Sequence, residues 1–147
     1  DPPRLGHGAP DSATFFRHSA KEGTPPRTLL YVEDNPANLQ LVEELITRRP
    51  DLRLLSAADG NLGIALAREF LPEVILMDIN LPEVDGYTMT MRIKNTPGLE
   101  HIRIVALTAN VMRGDREKTL AAGCDGYIQK PIDVDTLPRQ IARFLES

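Results

Sequence analysis

Residues 28–38 read TLLYVEDNPAN, and the order of residue types in that stretch decides the fold. Leu29 to Val32 is a short, unbroken apolar run, the pattern of a strand buried on both faces. Two acids, Glu33 and Asp34, follow at once. Asn35-Pro36 then signals a helix start, a capping side chain followed by proline at the first helical position. Leu39, Val42 and Ile46 fall on one face of that helix, and Pro50 closes it. A buried strand that runs into acids and then a helix is the opening unit of a parallel α/β sheet.

The same alternation continues to the end of the chain. LRLLSA (52–57) is a second apolar run, and Leu62, Ala65, Leu66 and Phe70 have helical spacing despite Gly63. Val74 to Met77 reads as the third strand, Ile104 to Leu107 as the fourth and Tyr127 to Gln129 as a short fifth. Leu137, Ile141, Phe144 and Leu145 make a last amphipathic helix. Pro138 would clash in a helix interior, so that helix is expected to start near Asp135 or Thr136. Residues 87–93 (YTMTMRI) alternate strictly, which by period alone means strand; their position between the third and fourth strands predicts helix instead. A fourth helix over Val111 to Ala122 has few apolar positions and an internal Gly114, so it should be loosely held. Gly86 is expected to serve loop geometry, and Gly123 a helix C-terminus. Strands alternating with helices over some 120 residues imply an open parallel sheet covered on both sides.

Outside this unit, residues 1–27 hold five prolines, three glycines and no sustained apolar period, which reads as linker or tail with at most one helical turn near Asp11 or Ser12. His7 and His18 lie there without an amphipathic helix to present a phosphorylated histidine, and read as solvated. His101 sits in a polar loop and reads the same way. The organisation is thus a tail (1–27) and one domain (28–147). Seventeen bases against 21 acids leave a net charge of −4, so no basic field favours nucleic acid or an anionic membrane. Apolar residues make up 41% and aromatics 5%, which suits an aliphatic core of ordinary size. No run approaches the ~20 apolar residues of a membrane span. The single Cys124 forbids an internal disulfide and fits a reducing compartment; it reads as a small structural residue. The expected location is cytoplasmic, either free or as the cytoplasmic part of a membrane-bound sensor.

In an open parallel sheet, ligands bind beyond the carboxyl ends of the strands. The first strand ends in Glu33-Asp34, the third in Asp78, the fourth in Thr108 and the fifth in Lys130-Pro131. Singly, each has a bland explanation: acids at the positive end of a helix, a strand-end hydroxyl, a surface lysine, a half-exposed Tyr127 on an edge strand. Together they fill four of five strand ends with one kind of chemistry. Clustered carboxylates repel one another unless a cation neutralises them, and Mg2+ suits a site of few carboxylates that keeps waters and a phosphate oxygen. A carboxylate so screened can attack phosphorus and form an acyl phosphate. Lys130, the Thr108 hydroxyl and the N–H of Ala109 could then meet the phosphoryl oxygens.

The segments LLYVEDNPAN, VILMDINLPEVDGY, IVALTA and GYIQKP resemble the receiver (response regulator) domain of two-component signalling, over residues 28–147. The resemblance implies a flavodoxin-like (βα)5 three-layer sandwich with a five-stranded parallel sheet of order 2-1-3-4-5. It implies Asp78 as phosphoacceptor, charged from a phosphohistidine on a histidine kinase or histidine phosphotransfer protein. It implies Mg2+ held by Glu33, Asp34, Asp78 and the backbone carbonyl of Asn80. Lys130 is implied as the phosphate contact, Lys130-Pro131 as a cis peptide, and Thr108 and Tyr127 as the switch pair. By the same resemblance, Asn80 and Asn110 fall at family positions that tune phosphoryl lifetime. Phosphorylation is expected to reshape the surface of the fourth helix, fifth strand and fifth helix. Such a domain charges and discharges itself but is no independent turnover enzyme.

The wording LLYVEDNPANLQLVEELI and the Pro-rich lead-in resemble the C-terminal receiver of a hybrid sensor histidine kinase, with a stand-alone single-domain regulator as the alternative. Three other classes fit less well. A haloacid-dehalogenase-like phosphatase wants a second Asp where this chain has Asn80. A flavodoxin-like cofactor carrier wants a Ser/Thr/Gly phosphate loop where this chain reads EDNPAN. A scaffold that binds partners without phosphorylation is the third, and incubation with acetyl phosphate and Mg2+ decides it.

Overall fold

The computed structural model describes residues 26–81, 84–109 and 113–146. The turn expected near Asp11, most of the tail, Asn110 and the first residues of the expected fourth helix lie outside them. Five strands alternate with five helices: β1 (Arg27–Val32), α1 (Pro36–Thr47), β2 (Leu52–Ala57), α2 (Gly60–Phe70), β3 (Val74–Asp78), α3 (Gly86–Lys94), β4 (Arg103–Thr108), α4 (Arg113–Ala121), β5 (Gly126–Gln129) and α5 (Leu137–Glu146). The sheet order is β2-β1-β3-β4-β5 and every neighbouring pair is parallel.

Strand alternation sorts the core into two layers. Leu29, Tyr31, Val74, Leu76, Val105, Leu107 and Ile128 pack with Val42 and Ile46 of α1 and Leu137 and Ile141 of α5. Leu30, Val32, Ile75, Met77, Ile104 and Ala106 face the other way, onto Ala67 of α2 and Met89 and Ile93 of α3. Each such aliphatic side chain gains about 1.5–3 kcal/mol on burial, so the strands at the centre carry most of the driving force.

The helix starts follow local chemistry. Asn35 Oδ1 accepts from the N–H groups of Ala37 (2.8 Å) and Asn38 (3.3 Å), with Pro36 opening α1. Asp59 and Asp85 cap α2 and α3 through Leu62 N and Thr88 N, both at 2.8 Å. The ambiguous segment 87–93 is helix, with Gly86, Met89, Thr90 and Ile93 on its buried side. Hydropathy alternation misleads there because Thr90 is wholly buried whereas Met91 is 43% exposed. Helix α5 begins at Leu137 with Pro138 in its first turn, where no interior hydrogen bond is lost. No helix among the described residues is long and apolar enough to cross a membrane.

The amino edge of the sheet is tied by cations. Arg27 Nη2 donates to Leu145 O (2.6 Å) and Arg103 Nη1 to Phe144 O (2.7 Å), capping the negative end of α5. Lys94 Nζ donates to Ile102 O (2.7 Å) and Asp125 Oδ2 (3.0 Å), which joins the end of α3 to the entries of β4 and β5. With this edge fixed, the opposite, carboxyl edge presents the acids on a rigid base.

Candidate functional site

Each element delivers one piece of the site by the same rule of alternation. Tyr31 and Glu33, Leu76 and Asp78, and Ile128 and Lys130 are two residues apart, so all three end groups fall on the α1/α5 side of the sheet. The two acids nearest the sheet are almost completely buried, Glu33 at 1% and Asp78 at 2% exposure; Asp34 is exposed. Carboxylate oxygens of Glu33, Asp34 and Asp78 all lie within 4.8 Å of one another. Lys130 Nζ lies 2.9 Å from Asp78 Oδ1 and 3.8 Å from Glu33 Oε1.

Burial of two acids side by side is costly, and the site distributes that cost over several donors. The Tyr31 hydroxyl donates to Glu33 Oε1 (2.8 Å) and Asn38 Nδ2 to the same oxygen (3.4 Å), while Asn35 N donates to Oε2 (3.2 Å). Asn80 N donates to Asp78 Oδ1 at 3.1 Å. With Lys130 on the same oxygen, this fixes the plane of the Asp78 carboxylate. Burial and then the hydrogen bond to Asp78 nevertheless hold the Glu33 carboxyl above the usual carboxylate range. Burial and the acceptor Glu33 push the Tyr31 hydroxyl far up, so it stays a donor.

Those donors leave a surplus of negative charge, because three carboxylates cluster together and Lys130 contacts two of them, Asp78 and Glu33. The set is all hard oxygen, two ligands buried and one open to solvent, which is what Mg2+ takes when it retains several waters. The residues therefore fit a divalent cation held by Glu33, Asp34 and Asp78.

Backbone contacts register the neighbouring strand ends. Ile79 N donates to Leu107 O (3.1 Å) and Lys130 N to Thr108 O (2.7 Å). The Lys130–Pro131 peptide is cis. Gly86 opens α3 so close beneath the site that a Cβ there would lie 2.4 Å from Asp78 O. Thr108 is buried at the end of β4, but alternation puts its side chain on the α2/α3 side, with Ala106. Tyr127 pairs with Ala106 across β4 and β5 and packs half-buried on that same layer. The structure thus brings Glu33, Asp34, Asp78 and Lys130 into one cluster on one side, and sets Thr108 and Tyr127 one pleat apart on the other. Asn80 is exposed beside Asp78.

Sequence reasoning overlooked Tyr31, read there only as core. Its spacing of two from Glu33 on a strand was the available signal. Asn38, one turn into α1, was overlooked too; nothing in its local pattern marks it.

Residues 29–142 match the family described as response regulator receiver domain. The polar-differentiation response regulator DivK of Brucella anthropi is 39% identical over 120 residues, 82% of this chain and 97% of that protein. The receiver domain of sensor histidine kinase PA1611 from Pseudomonas aeruginosa, solved with a magnesium ion coordinated in its active site cleft, is 37% identical with a TM-score of 0.74, covering 83% of this chain and 99% of that one. A response regulator structure from Chloroflexus aurantiacus aligns with a TM-score of 0.76 at 27% identity, over 83% and 99% of the two chains. The family match and these relatives, on a chain with a parallel 2-1-3-4-5 sheet and acids beside a lysine at its carboxyl edge, show that it belongs to the response regulator receiver family of two-component signalling.

Proposed function

We propose that Asp78 is the phosphoacceptor. Its carboxylate oxygen attacks the phosphorus of a phosphohistidine on a histidine kinase or histidine phosphotransfer protein; the P–O bond forms, the P–N bond breaks, and the imidazole leaves. The observation that carries this is the Lys130–Asp78 contact within the acid cluster. Lys130 neutralises the nucleophile before transfer and is placed to follow a phosphoryl oxygen afterwards. Glu33, Asp34, Asp78 and the backbone carbonyl of Asn80 are the protein ligands we assign to Mg2+. The chemistry a bound Mg2+ supplies there is neutralisation of the carboxylates and of the incoming phosphoryl charge.

After transfer, the Thr108 hydroxyl turns toward the phosphate and Tyr127 moves into the space it leaves. The surface formed by α4, β5 and α5 changes for a partner to read. Residues 28–147 are the unit that does this, on the cytoplasmic side of the cell and without direct contact to nucleic acid or membrane. The 37% identity to a sensor-kinase receiver supports placement in a hybrid-kinase phosphorelay. The 39% identity to DivK over nearly all of that protein favours the second reading, a single-domain regulator.

The test is incubation with acetyl phosphate and Mg2+, read by intact mass. An adduct of about 80 Da that is absent from Asp78→Asn supports the assignment. No adduct, or one that survives the substitution, refutes it.

A further inference from the structure

Helix α4 is the most polar of the five, and two contacts of its described residues bear on how it sits. Thr119 is 1% exposed, and its Oγ1 lies 3.5 Å from the Tyr87 hydroxyl on α3. This sets the rotation of α4 about its axis. Arg116 is three residues earlier and so shares that face of the helix. Its Cζ lies over the Tyr127 ring of β5, 5.5 Å from the centroid, within range of a cation–π attraction.

We infer that Arg116 is a positioning residue that sets the threshold of the switch. This role rests on Tyr127 being the switch aromatic, and the Arg116 side chain acts through that ring without touching the phosphoacceptor. The guanidinium holds the ring where it lies beneath α4, and the ring gives up that attraction when it moves toward Thr108. Arg116 thereby weights the equilibrium toward the unphosphorylated arrangement. An attraction of this kind at a partly exposed site is worth about two- to fivefold in an equilibrium constant. Arg116 is exposed and its contact is with the Tyr127 ring rather than the acid cluster, so its removal should shift the switch equilibrium toward the activated arrangement and leave the site intact.

The experiment titrates beryllofluoride, an acyl-phosphate mimic, at saturating Mg2+, and follows the Tyr127 ring and residues 108–130 by NMR. Arg116→Gln keeps the apolar stem and removes the charge; it is expected to tighten half-saturation about two- to fivefold, with Arg116→Lys between it and wild type. In a Tyr127→Leu background the Arg116→Gln change should have no effect. An unchanged titration for Arg116→Gln, or an equal effect with and without the Tyr127 ring, overturns the inference. If wild type binds beryllofluoride with no change at Tyr127, the switch assignment itself fails. That result is distinct from a responsive wild type with a silent Arg116→Gln.

Discussion

The Lys130 ammonium lies 2.9 Å from an Asp78 carboxylate that is 2% exposed, although the two residues are 52 positions apart in sequence. Lys130 also reaches Glu33 at 3.8 Å, so one cation serves two buried acids. Replacing it by methionine leaves those acids to repel each other in a medium that screens them poorly. Lys130→Met is expected to lose about 1–3 kcal/mol in metal-free neutral buffer. Urea midpoints measure this, and part of the loss should return with Mg2+.

Glu33 supplies the pH dependence. Its carboxyl is held above the usual range by burial and by its hydrogen bond to Asp78. In the unfolded chain it titrates near the ordinary value of about 4.3. As pH rises through that value and on toward the folded one, the unfolded chain releases a proton that the folded chain keeps. The contribution of this group to stability therefore falls across that window. Glu33→Gln should flatten the decline and be at least as stable as wild type at neutral pH without metal. Wild type should gain about 1.4 kcal/mol in Mg2+ at ten times its dissociation constant, and the variant much less. Thermal melts across pH, with and without Mg2+, read both effects.

Gly86 shows how closely α3 presses on the site. A Cβ there would meet Asp78 O at 2.4 Å and Ile79 Cα at 2.8 Å, and backbone cannot swing aside as a side-chain tip can. Gly86→Ala is expected to cost about 1–3 kcal/mol and, by shifting Asp78, to slow phosphorylation by about tenfold or more. Gly98→Ala is the control. Its φ of +91° is strained for alanine but open space surrounds it, so it should lose about 1 kcal/mol with phosphorylation unchanged.

Leu71 ends α2 in the left-handed region at φ 48° and is 54% exposed, so little burial offsets its backbone strain. Leu71→Gly should raise stability by about 0.5–1 kcal/mol without altering phosphorylation, as a melting curve and an acetyl phosphate assay would show.

The strand ends were legible because composition and position agree there. An unbroken apolar run can only be a buried parallel strand once helices separate the runs, and the residue that ends it must then lie at the sheet edge. Glu33, Asp78, Thr108 and Lys130 were placed in this way. Segment 87–93 was harder, since a buried Thr90 and an exposed Met91 invert the usual relation between hydropathy and burial. The division of the site between two faces, with Asp78 and Lys130 on one and Thr108 and Tyr127 on the other, follows from counting residues along each strand. Contacts of long side chains do not follow from any period. Lys94, the last residue of α3, gathers the carbonyls of Glu100 and Ile102, and Arg116 covers Tyr127, through geometry that only the packed helices define.

The most direct test of Asp78 as phosphoacceptor is reductive trapping. Wild-type protein is charged with acetyl phosphate and Mg2+, treated with borohydride and sequenced by tandem mass spectrometry. Hydride reduces an acyl phosphate to the alcohol, so position 78 should be recovered as homoserine, lighter than aspartate by about 14 Da, and chelation of Mg2+ should abolish the product. Homoserine at another position, or an intact Asp78 in protein that carries phosphate, would contradict the assignment.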